Sequence, residues 1–114
     1  MLIVDKSISL AELKRLAESK FGNLVKAVVD VNRKVMAIDA DLHADEEAEL
    51  LANGSRQEDL WGINLYPEKF NTDDFVEFDS IINLRPSQKN MTRSVEDKAL
   101  QKQIKQIVAT LIVS

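Results

Sequence analysis

The stretch from Phe78 to Arg93, FDSIINLRPSQKNMTR, sets how the rest of the chain must be arranged. Its first half alternates apolar and polar residues with the period of a half-buried strand. Its second half crowds Arg85, Ser87, Gln88, Lys89, Asn90, Thr92 and Arg93 into a few positions. A core strand running into a donor-rich loop ahead of a helix is a natural place for a binding site. Extended back to Phe75, the strand puts Val76, Phe78, Ser80, Ile82 and Leu84 on one face. Glu77, Asp79, Ile81, Asn83 and Arg85 fall on the other.

Immediately upstream, Leu60 to Tyr66 (LWGINLY) alternates Trp61, Ile63 and Leu65 against Gly62, Asn64 and Tyr66, and Pro67 ends it. The lone tryptophan therefore belongs to the core. Joined through the turn-rich loop Glu68 to Asp74, the two strands form a second hairpin. The first hairpin lies earlier, where the valine-rich run Leu24 to Val31 turns at Asn32-Arg33 into Lys34 to Ala40 (KVMAIDA).

Three helices complete the pattern. Ser9-Leu10-Ala11-Glu12 is a capping box, and Leu10, Leu13, Leu16, Ala17 and Phe21 recur at helical spacing up to Gly22. Between Asp41 and Asn53, Asp45, Glu46 and Glu47 precede Leu50 and Leu51, which predicts a short helix with acids at its positive dipole end. Ser94-Val95-Glu96-Asp97 opens the last helix, whose stripe is Leu100, Ile104, Ile107, Val108 and Leu111. The expected fold is α+β, in the order α-β-β-α-β-β-α. It has a mostly antiparallel sheet of two hairpins, with the long helices packed on one face.

At 114 residues, 45% hydrophobic and 30% charged, residues 1–114 make one globular domain. The net charge of −4 argues against broad nucleic-acid binding, which needs a basic face. With no cysteine, disulfides, thiolate metal sites and cysteine nucleophiles are excluded. Met1 to Val4 is far short of a signal-peptide apolar region, and Ile107 to Val113 is too short to span a bilayer. The expectation is a cytoplasmic protein with no membrane partner.

Three constellations could carry chemistry. If the second hairpin pairs as read, Asn64, Tyr66, Asp79, Asn83 and Arg85 line a shallow polar floor, completed by Ser87, Gln88, Asn90 and Arg93 from the loop. Arg85 would clamp a small anion or a peptide carboxylate bidentately. The structural alternative is that these groups hydrogen-bond one another and hold the loop. Second, Asp39, Asp41, His43 and Asp45 alternate as metal ligands would in an extended segment, although acids ahead of a helix are expected on dipole grounds alone. Third, His43 is the only histidine and a candidate general base, oriented by Asp79 or Glu58, in a small hydrolase with or without a divalent ion. Ser80 and Ser87 lack a nucleophile elbow, and Gly22, Gly54 and Gly62 are too far apart for a phosphate loop. A structural role remains open as well, in which the sheet edge or last helix joins two copies in a homodimer.

The words Leu42-His43-Ala44-Asp45, Gln57 to Pro67 (QEDLWGINLYP) and Phe78 to Gln88 (FDSIINLRPSQ) resemble a family of small prokaryotic single-domain proteins of unknown function. The resemblance covers most of the chain from Leu24 onward. It implies one intact domain and brings no substrate, cofactor or catalytic residue with it.

Overall fold

The computed structural model describes residues 1–114. A five-stranded antiparallel sheet forms the centre, in the order β1 (Leu2–Val4), β4 (Val35–Ile38), β3 (Val25–Asp30), β5 (Leu60–Leu65), β6 (Val76–Glu77). The first hairpin closes as the valine alternation predicts, with Asp30 facing Val35. Its turn is held by Asp30, whose Oδ1 accepts the N–H groups of Asn32 and Arg33 at 2.9 Å, and Lys34 takes the left-handed conformation. The apolar start of the chain, not expected as a strand, is β1 at the sheet edge.

Helices α1 (Leu10–Ser19) and α3 (Lys98–Leu111) cover one face, as expected. Leu13, Leu16 and Ala17 from α1 and Ile104, Ile107, Val108 and Leu111 from α3 pack on Val25, Ala27, Val29, Trp61, Ile63 and Leu65. Each of the valine, leucine and isoleucine side chains among them contributes roughly 1.5–3 kcal/mol when fully buried. Ser9 caps α1 by accepting the Glu12 N–H at 3.1 Å. A parallel two-stranded ribbon of β2 (Ile8–Ser9) and β7 (Ile112–Val113) ties the start of α1 to the end of α3.

The opposite face is not open. Helix α2 (His43–Ala52) lies there, and its Leu50 packs with Val28, Ala37 and Leu60 in a second small core that Ile82 borders. The sheet is thus covered on both sides, which is why β3 is buried along nearly its whole length.

Two expectations are corrected. The run Phe75 to Leu84 is not a long strand, since only Val76 and Glu77 pair with β5. Ser80 and Asn83 offer the backbone local alternatives to the ladder. The Ser80 hydroxyl accepts the Ile82 N–H, the Asn83 N–H returns to the Ser80 carbonyl at 3.1 Å, and Ile81–Asn83 closes as a 3-10 turn. Likewise Ser94 does not open the last helix. Asp97 does, accepting N–H groups from Ala99 and Leu100, while Val95 is fully buried.

Candidate functional site

The residues expected to form one polar floor separate into two groups at opposite ends of β5. On its outer side, β5 meets β6 only at Asn64 and Leu65, so the edge is bare at Gly62 and Leu60. Side chains take the place of the missing strand. The Asn83 amide accepts the Gly62 N–H at 2.8 Å and donates to the Gly62 carbonyl at 2.9 Å, mimicking a strand residue. It donates to the Arg93 carbonyl as well, at 3.0 Å. Gly62 is required here, because a Cβ at this position would sit 2.6 Å from the Ser80 side chain.

Arg85 continues the same edge. Its guanidinium donates to the carbonyls of Leu60 and Gln57 and to Gln88 Oε1, and stacks 4.0 Å above the Trp61 ring. Burial pulls its pKa below the ordinary value, with the Glu47 carboxylate acting in the other direction. Its remaining nitrogen, Nε, is buried without a partner, so neither face of the fork is free for a bidentate anion. Gln88 donates to the Glu58 carbonyl, and Asn90 donates to the carbonyls of Asn83 and Ser94 while accepting the Glu96 N–H. Ser87 is exposed on the 3-10 turn Pro86–Gln88, and Ser80 is buried with its hydroxyl already engaged. Donors at this end go almost entirely to main-chain carbonyls.

The other end differs. His43, the first residue of α2, turns down onto the sheet, and its Nε2 lies 2.8 Å from the Ile63 carbonyl. A carbonyl only accepts, so Nε2 carries the proton and Nδ1 keeps its lone pair. The ring is buried, and this burial, with Lys26 and Arg93 nearby, holds its pKa below the usual histidine value; the Ile63 carbonyl and Asp79 oppose the shift. The imidazole is therefore neutral at pH 7. Beside it, the buried Asn64 amide donates to Glu77 Oε1 at 2.8 Å and to the Asp79 carbonyl at 3.3 Å, and its own oxygen has no partner. Tyr66 donates to the same Glu77 oxygen at 2.9 Å, and Asp79 pairs with Arg93 Nε at 2.8 Å. Lys26 stands across from Asn64 in the β3–β5 register, with no ion pair, its Nζ 5.1 Å from the Phe21 ring.

Asn64, Tyr66, Asp79 and Arg93 thus gather with His43, while Arg85, Ser87, Gln88 and Asn90 stand apart and Asn83 reaches that group only through the Arg93 main-chain carbonyl. The extended metal-ligand run does not form: Asp39 is left-handed, Asp41 pairs with Lys20 at 3.2 Å, Asp45 is exposed, and His43 begins a helix. No group of three or more such side chains is arranged to hold a metal. Glu58 is exposed on the Arg85 side, paired with Arg56.

Three members of the site escaped the sequence reading: Lys26, Glu77 and Glu46. Glu46 is fully buried, accepts the Ala40 N–H at 3.1 Å, and is pushed up to about 9 by burial, so it carries a proton at neutral pH. Its signal was present in the spacing. His43, Glu46 and Leu50 fall at i, i+3 and i+7, one face of a helix.

No helix is long and apolar enough to cross a membrane. No curated protein and no solved structure matches the chain. A family model described as Protein of unknown function (DUF5674) matches residues 2–111 of the 114, and the chain belongs to that family.

Proposed function

We propose that this domain is a cytoplasmic binding module that holds a small anion, or the carboxylate of a peptide, on the His43 face of the sheet. The observation that carries this reading is a pair of cations with uncommitted donors beside a buried neutral imidazole. Lys26 has no acceptor, and Arg93 engages Asp79 through Nε, leaving its terminal nitrogens free of side-chain partners. An anion between them would gain charge-assisted hydrogen bonds and ease the cation repulsion that adds to burial in keeping His43 uncharged. The Glu77 and Asp79 carboxylates beside them favour a ligand that also donates, such as a peptide terminus with its amide N–H.

The test is a thermal-shift screen of phosphate, simple carboxylates and short peptides, read alongside the proton signals of the single histidine. A bound anion raises the melting temperature, by mass action, and moves the His43 titration upward. Lys26→Ala and Arg93→Ala remove both effects, whereas Arg85→Ala leaves both in place in a less stable protein. If nothing in the screen shifts either signal, the reading fails.

A second reading, a small hydrolase with His43 as general base, is favoured by the tautomer. Ile63 holds the Nε2 proton and leaves Nδ1 as the lone-pair nitrogen, with Asp79 close enough to act on the ring. Turnover of activated esters that disappears in His43→Gln and follows the His43 titration would favour it over simple binding.

A further inference from the structure

On the other face of β6, away from His43, a cavity of about 240 Å³ opens between α3 and the loop that precedes β6. Its walls are Phe70, Phe75, Val76 and Val108, and the two charged side chains at its mouth are Lys105 and Asp73. The loop is held in shape before any ligand arrives. The Thr72 hydroxyl donates to the Lys69 carbonyl at 2.7 Å, the Phe75 N–H returns to the Thr72 carbonyl at 3.2 Å, and the rings of Phe70 and Phe75 meet edge to face at 5.2 Å. Neither charge at the mouth is matched. Lys105 and Asp73 form no ion pair with each other or with any other side chain, and Lys105 only overlooks the Phe78 ring at 5.9 Å.

From this arrangement we infer that the cavity is a site for a free α-amino acid with an apolar side chain. The body of the ligand lies on the Phe70, Phe75, Val76 and Val108 surface, its carboxylate faces Lys105, and its ammonium faces Asp73. Size agrees with this, since the volume equals that of about eight liquid waters, the room for a molecule of leucine or phenylalanine size. Charge agrees too. An apolar carboxylate would leave Asp73 facing an anion, an apolar amine would leave Lys105 facing a cation, and only the zwitterion complements both.

The experiment is an NMR titration of the isotopically labelled chain with L-phenylalanine, with hydrocinnamate, which lacks the ammonium, and with phenethylamine, which lacks the carboxylate. Phenylalanine should shift the backbone amides of Val76, Val108 and Ala109 with a dissociation constant of about a millimolar, as expected for roughly a dozen non-hydrogen atoms. Each analogue should bind more weakly by up to about fivefold, the loss of one exposed charge contact. Lys105→Met should weaken phenylalanine but not phenethylamine, and Asp73→Asn should weaken phenylalanine but not hydrocinnamate. Both substitutions are of exposed side chains, so amides elsewhere should stay in place. Absence of any shift up to about 20 mM, well above that expected constant, overturns the site. Equal binding of all three molecules overturns the reading of its charges.

Discussion

Along the outer edge of β5 the two ends handle similar side chains differently. At Leu60 and Gly62, the amides of Asn83 and Asn90 and the guanidinium of Arg85 are bonded to carbonyls of the chain itself. At Asn64, the polar groups bond mainly to other side chains, and Lys26, His43 Nδ1 and part of Arg93 keep capacity in hand. A donor tied to main chain is a brace, because moving it strips partners from a loop that has no regular ladder of its own. A donor tied to another exposed side chain can exchange that partner for a ligand. The distinction lies in what is at the far end of each hydrogen bond, not in which residues are present.

If the Gly62 end is a brace, Asn83→Ala should cost the most, about 3 kcal/mol by chemical denaturation, since it leaves buried N–H and C=O groups unpaired. A loss below about 1 kcal/mol would erase the contrast between the two ends, because that is what an ordinary exposed hydrogen bond contributes.

The two ends should also separate by pH. The brace is built of amides, a guanidinium and main chain, whereas the His43 end rests on two titrating groups. Glu46 has a folded pKa raised to about 9, so the folded state holds an extra proton between the ordinary carboxylate range and pH 9, and stability falls as pH rises through that window. His43 is depressed, so it acts in the opposite direction and only as pH falls below its ordinary value. Between pH 7 and 9 only the Glu46 effect remains of the two. The protein should lose about 2 kcal/mol there, and Glu46→Gln should flatten the profile.

Arg85→Ala should cost about 1.5 kcal/mol, through lost carbonyl partners and the Trp61 stack. It should do so without changing the His43 titration. Lys26→Ala should alter stability by less than about 0.5 kcal/mol, as expected of a half-exposed side chain without a polar partner, yet raise the His43 pKa by removing a nearby cation. A Lys26→Ala protein as impaired as Asn83→Ala would show that the His43 end is scaffold as well.

Much of the fold was legible from two periods. The alternation of Val25, Ala27 and Val29 and of Trp61, Ile63 and Leu65, and the stripes of α1 and α3, all fall on the face that the long helices cover. The run after Phe75 was misread because Val76, Phe78, Ser80 and Ile82 satisfy a strand template that takes no account of what Ser80 and Asn83 can bond to locally. That error propagated into the site. Alternation through residue 85 was the only reason to group Arg85 with Asn64, and once the strand stops at Glu77 the two part company. His43, Asn64, Tyr66, Asp79 and Arg93 could be singled out from residue type. That they meet depends on α2 crossing the far face of the sheet, which no local pattern specifies.

The side-chain amide seated on Gly62 also governs self-association. A bare strand edge is a template on which another chain can build, and such growth is how many sheets begin to aggregate. Here Asn83 and Arg85 occupy that template, leaving β1, three residues long at the far side of the sheet, as the longer of the two outermost strands. Any filament or strand-exchanged pair made by this molecule would therefore be expected to start at Leu2–Val4. Loss of Asn83 would open a second nucleation point in the middle of the uncharged, proline-free strand LWGINL.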